Sequence, residues 1–142
     1  MTVVVDANAL VAALVDAGPD GQWAESELAP EDLVAPHTMP VEAANILRRA
    51  VLSGDLSADA AALAHDDLVQ PPATLFPYEP NAERIWELRD NLTAYDAWYV
   101  ALAEALGVPL VTLDERMSRA PGPRCEFRLP PTRGSDAPCS DA

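Results

Sequence analysis

Two aspartates in this chain each follow a short apolar run. Val3-Val4-Val5 leads into Asp6, and Val108-Pro109-Leu110-Val111-Thr112-Leu113 leads into Asp114. Runs of this length are too short to span a membrane and read as buried strands. In open α/β sheets, ligands bind beyond the carboxyl ends of the strands, so both aspartates stand where such folds do their chemistry. Two further carboxylates, Glu42 and Asp96, fall in the first turns of expected helices. Each of the four also has an ordinary structural role open to it. Asp6 and Asp114 suit helix caps or loops, Glu42 a solvated helix face, and Asp96 a capping box with Thr93. Taken together, they are four anions on elements that a parallel sheet brings to one edge. Such anions repel and shift towards their protonated forms, a penalty that a hard divalent cation removes. Mg²⁺ or Mn²⁺ takes oxygen ligands and fits this set. Zinc does not, because His37 and His65 are the only histidines, and Cys125 and Cys139 match no metal spacing.

The elements that must position these residues can be read from apolar spacing. After Asp6, Leu10, Val11, Leu14 and Val15 recur at helical intervals. Gly18-Pro19-Asp20-Gly21 marks a turn, a short helix fits 22–28, and a second strand fits 33–36. Thr38 offers a cap, with Pro40 in the first turn, for a helix ending at Gly54. On that helix Glu42, Asn45 and Arg49 share one face, opposite Val41, Ala44 and Leu47. Ser57 caps a helix to residue 69 anchored by Leu63 and Leu68, which Pro71 and Pro72 stop. A short third strand at 74–76 precedes a helix over 81–92 with Ile85, Trp86 and Leu88 facing inward. Thr93 opens the next helix, on which Trp98, Leu102, Ala105 and Leu106 are apolar, and Gly107 closes it. A strand over 108–113 and a weak one near 126–129 complete the chain. This alternation predicts an α/β protein, a three-layer α/β/α sandwich with a mainly parallel central sheet. One domain over 1–129 is expected, with a disordered tail over 130–142, where Pro, Gly, Ser and Asp dominate.

The formal net charge is −14, and all nine basic residues are arginines, none of them before Arg48. That balance argues against long-range attraction to nucleic acid, and it suits a partner with a basic segment. Polyanions remain accessible to such a protein through metal ions and a local arginine patch. There is no targeting segment, membrane helix, P-loop or dinucleotide fingerprint, so a cytoplasmic protein is expected.

The assembled motifs are Val5-Asp6-Ala7-Asn8, Glu42-Ala43-Ala44-Asn45-Ile46-Leu47-Arg48-Arg49, Thr93-Ala94-Tyr95-Asp96-Ala97 and Val111-Thr112-Leu113-Asp114. In their order and spacing they resemble the PIN-domain proteins, most of all the toxin ribonucleases of VapBC-type toxin–antitoxin pairs, over about residues 1–129. The resemblance implies that Asp6, Glu42, Asp96 and Asp114 form an acidic site for Mg²⁺ or Mn²⁺. It makes Asn8 and Thr112 polar neighbours that orient ligands or water, and Asn45 and Arg49 supporting residues. It implies a homodimeric endoribonuclease acting on structured RNA such as tRNA, inhibited by a VapB-like antitoxin. Arg116 and Arg119 are weaker candidates for RNA phosphates, with solvated surface as their ordinary reading. Tyr95 and Trp98 are candidates to stack on bases, although helical spacing suits Trp98 better to the core or a dimer interface. Two other readings compete. One is a catalytically silent acidic module that captures a basic peptide. The other is a Mg²⁺-dependent phosphatase of the haloacid-dehalogenase kind, which would also need a lysine that this chain lacks.

Overall fold

The computed structural model describes residues 1–70 and 72–131. Pro71, Arg133, Cys139 and nearly all of the expected tail lie outside the described residues. The chain runs β1 (Thr2–Val5), α1 (Ala7–Val15), α2 (Pro19–Leu28), β2 (Asp32–Pro36), α3 (Met39–Ser53), α4 (Ala58–Val69) and β3 (Thr74–Phe76). A 3₁₀ turn (Glu79–Asn81), α5 (Ala82–Glu87), α6 (Ala94–Leu106), β4 (Leu110–Val111), α7 (Glu115–Arg119) and β5 (Phe127–Arg128) follow. The strands form one parallel sheet in the order β3-β2-β1-β4-β5, with Val4 opposite both Val34 and Leu110 and Val5 opposite Val111. This is the expected sandwich. The valines of β1 are fully buried, as a central strand covered on both faces requires.

The strand order reverses beside β1, because the chain steps outward to β3 and then returns to β4 on the other side. Right-handed crossovers therefore put α1 to α4 on one face of the sheet and α5 and α6 on the other. The packing agrees: α1 lies against α2, α3 and α4, and α5 lies against α6, which covers β1 and β2. The reversal makes the carboxyl ends of β1 and β4 the switch point where such sheets open a crevice.

Several elements differ from their expected form. α2 begins at Pro19, where Gly21 passes so close to α1 that a Cβ would stand 1.8 Å from the Asp16 carbonyl oxygen. Thr38 precedes α3 with helix-like backbone angles and makes no side-chain cap, whereas Ser57 and Thr93 do cap their helices. α5 ends at Glu87, before Asp90 and Asn91, residues that favour turns over helix. Its buried pair is Ile85 and Leu88, three apart on one face, so Trp86 points outward at 65% exposure and Arg89 stacks on its ring. In α4 the buried stripe is Ala64 and Leu68, which leaves Leu63 exposed. Val41 is exposed as well; α3 buries Met39, Ala43 and Leu47 instead. Ala105 and Leu106 are exposed in the last turn of α6, while its middle is buried all round. The strand after Gly107 shrinks to Leu110–Val111, and the weak last strand is present. Among the described residues no helix is long and apolar enough to cross a membrane.

Arginines fasten the far end of the fold. Arg84 on α5 forks onto Glu104 of α6 at 2.7 and 3.2 Å and donates to the Gly122 carbonyl at 2.8 Å. Glu104 also accepts from the Arg124 amide at 2.7 Å, so one ion pair joins two helices and the loop leading to β5. Arg84→Ala should cost about 2 kcal/mol, the scale of charge-assisted hydrogen bonds, in urea unfolding. Arg84→Lys, which cannot reproduce the fork, should recover only part of that loss.

Candidate active site

Asp6 is the first residue after β1 and the N-cap of α1. Its Oδ1 accepts from the Ala9 amide at 2.8 Å, and its Oδ2 accepts from the Thr112 hydroxyl. Thr112 follows β4 directly and is fully buried; its hydroxyl also accepts from the Asp114 amide at 3.0 Å. One threonine thus ties the ends of the two central strands together and turns the chain towards Asp114. Asp114 caps α7 through the Arg116 and Met117 amides and pairs with the Arg116 guanidinium at 3.4 Å. The cap that was its ordinary reading is therefore real, and it coexists with a place at the sheet's carboxyl edge.

A cleft of about 550 Å³ opens above β1 between α3 and α6. Asp6, Glu42 and Asp96 line it, with Asn8, Asn45 and Arg49 around them. Asp114 stands on the other side of Asp96, in a smaller hollow that Arg116 shares. The structure brings three of the four acids into one cleft and the fourth next door. Val41 lies on the rim of the cleft rather than on an opposite, buried face. Arg119 lines neither space and pairs with Glu115 at 3.6 Å. Tyr95 is exposed on the cleft wall, and Trp98 packs half-buried against the core, edge-on to Tyr78 at 5.3 Å.

The sequence reading missed Tyr99. Its ring is buried on α6, and its hydroxyl donates to Glu42 Oε1 at 2.7 Å, joining α6 to α3 over the top of the sheet. The available signal was its place three residues after Asp96, one turn along the same helix face.

The Asp6 carboxyl is raised to about 6, chiefly by burial and further by the charges of Asp114 and Asp96, against hydrogen bonds from Thr112 and Ala9 that lower it. Burial also raises Glu42 and Asp96, with Asp96 acting on Glu42 and Asp114 acting on Asp96. The phenol of Tyr99 is raised by burial and by its bond to Glu42, so it stays a protonated donor. Among the described residues, no three His, Cys, Asp or Glu side chains stand close enough together to hold a metal ion. The donor set still fits a hard cation such as Mg²⁺, which takes one or two carboxylates and keeps several waters. Buried, mutually repelling carboxylates are also what such a charge would relieve.

The PIN domain family matches residues 3–123. Ribonuclease VapC1 of Mycobacterium tuberculosis is 44% identical over 127 residues, covering 89% of this chain and 96% of the relative. Ribonuclease VapC9 of the same organism is 43% identical over 129 residues, covering 91% and 98%. In fold, the chain is similar to a chain of the crystal structure of VapBC2 from Rickettsia felis bound to a promoter DNA fragment. The TM-score is 0.63 at 13% identity, over 91% of this chain and 98% of that one.

The raised Asp6 carboxyl makes apo-protein stability depend on pH. The folded state holds this proton more tightly than the unfolded chain, so the contribution is complete below about pH 4 and is lost as pH rises through about 6. In EDTA, the Asp6 contribution should fall by on the order of 3 kcal/mol across that window. The measurement is urea unfolding of the wild type against Asp6→Asn, which keeps the helix cap and lacks the titration.

Proposed function

This chain belongs to the PIN-domain family, among its VapC ribonucleases, and on that premise we propose that it is a divalent-metal-dependent endoribonuclease, the toxin of a toxin–antitoxin pair. The observation that carries this reading is the gathering of Asp6, Glu42 and Asp96 in one cleft at the sheet's switch point, with Asp114 beside them. Asp6, Asp96 and Asp114 are the residues that would hold Mg²⁺ or Mn²⁺, one or two of them directly and the others through the ion's retained waters. A bound divalent cation supplies neutralising charge at a scissile phosphodiester and a lower pKa for attacking water.

The chain's own residues then have distinct tasks. Thr112 fixes Asp6 in one orientation and sets the turn that presents Asp114. Tyr99 holds Glu42 by Oε1, while its Oε2 has no hydrogen bond among the described residues. Glu42 is either a ligand or the base that takes a proton from water as the water oxygen bonds to phosphorus and the P–O bond to the leaving oxygen breaks, that oxygen taking its proton from solvent. Its raised pKa brings it nearer the working pH, as general-base catalysis favours. Asn8, Asn45 and Arg49 line the same cleft and are the groups that would meet the substrate there.

We extend the same reading to structured RNA such as tRNA as substrate, a VapB-like antitoxin as partner, a homodimer as assembly and the cytoplasm as location. The net charge of −14 supports an antitoxin with a basic segment able to mask the acidic cleft. One observation favours the second reading, a silent acidic module for a basic peptide: no three acids stand within metal-holding reach among the described residues.

Cleavage of an end-labelled tRNA pool in Mg²⁺ or Mn²⁺, alongside EDTA and identically prepared Asp96→Asn protein, separates the two. Discrete cuts that vanish in both controls, with Asp96→Asn as thermally stable as wild type in metal-free buffer, are the expected result. Cutting that persists in Asp96→Asn would refute the assignment. Absence of both cutting and Mn²⁺ binding would leave the peptide module.

A further inference from the structure

We propose that Tyr95 is the base-stacking residue of the cleft, and that this ring, rather than attraction of the RNA backbone, supplies most of the grip on the substrate. The inference rests on the ribonuclease reading above. Its starting point is a shortage of positive charge. Arg49 is the only basic residue among the described residues lining a cleft that also carries three carboxylates. The other arginines among the described residues lie outside it. Arg84, Arg119 and Arg128 pair with carboxylates of their own chain, Arg89 lies over Trp86, and Arg124 lines a separate hollow with Glu104. Arg116, in the hollow next to the cleft, pairs with Asp114 at 3.4 Å. Arg48 sits in the groove between α3 and α4, away from the acids. Binding by release of counterions from phosphates needs a row of such cations, and the cleft has one.

What the cleft does offer is an aromatic face. Tyr95 is 59% exposed and stands on the same wall as Asp96, its neighbour in sequence at the start of α6. Among the described residues its hydroxyl makes no hydrogen bond and its ring has no aromatic or cationic partner. The other ring at the site, Tyr99, is buried and already committed to Glu42. A base splayed from an unpaired stretch of RNA can stack on such a ring, and stacking is tolerant of sequence and indifferent to the acidic surroundings. Asn8 and Asn45 on the same cleft offer amides to base edges or sugar hydroxyls.

A short unpaired oligoribonucleotide carrying 2-aminopurine tests this with Asp6→Asn protein, which should not cut it. Stacking quenches the fluorescent base. Quenching should persist when Tyr95→Phe or Tyr95→Trp is added and vanish with Tyr95→Leu, all variants having unchanged melting temperatures. In the otherwise wild-type enzyme, Tyr95→Leu should raise KM by about tenfold or more. Its kcat should stay within about twofold, because stacking holds ground and transition states alike. Raising KCl from about 50 to about 200 mM should weaken binding only about threefold, as expected for one phosphate contact on a single strand. Equal quenching and KM in Tyr95→Leu, or a steep salt dependence, would overturn the inference and leave the ribonuclease reading standing. Wild-type protein that neither cuts nor binds RNA would overturn both.

Discussion

The Asp6 carboxylate is buried, charged by default, and satisfied on both oxygens by groups that belong to different parts of the chain. Oδ1 closes the first turn of α1, and Oδ2 takes the hydroxyl of Thr112, more than a hundred residues away in sequence. A buried carboxylate without these partners would cost several kcal/mol, so the bonds fix where β1 ends and how β4 lies beside it. The Thr112 hydroxyl then passes the constraint on to the Asp114 amide. Three of the site's polar groups are thus parts of one hydrogen-bonded junction at the sheet's switch point.

Around that junction the two helical layers meet. Glu42 comes from α3 on one face and Asp96 and Tyr99 from α6 on the other, and the Tyr99–Glu42 bond spans the gap above the strands. Hydrogen bonds only partly offset the cost of placing these carboxylates together. Burial and mutual repulsion still push Asp6, Glu42 and Asp96 upward. A site arranged in this way gives up stability in its empty state, which is the usual signature of side chains selected for chemistry rather than for folding.

The arginines serve the scaffold more than the substrate. Arg84 clamps α5 to α6, and Arg128 on β5 reaches Glu31 at 3.1 Å and Glu27 at 3.8 Å, fastening the edge strand to the last turn of α2 and the segment after it. The amino terminus shares Glu31 at 3.4 Å. A protein with so few cations, most of them spent internally, keeps an acidic surface that attracts basic partners from a distance.

Much of this was written in local sequence. The valines before Asp6, the glycines at 54 and 107, and the caps at Ser57 and Thr93 each encode their element through short-range physics, so the parallel sandwich and the strand-end aspartates followed from the chain alone. The inward faces of single helices did not. Leu63 and Trp86 are apolar residues one step around the helix from the buried stripe, Val41 lies across α3 from it, and only the packing partner decides which stripe is buried. The helix α7 and the early end of α5, by contrast, have local causes in the Asp114 cap and the turn-forming Asp90 and Asn91. Sequence also could not say that Asp114 would stand beside the main cleft, or that Tyr99 would hold Glu42. Those facts depend on distances between residues far apart in the chain, and only the close packing of α3, α6 and the strand ends fixes such distances.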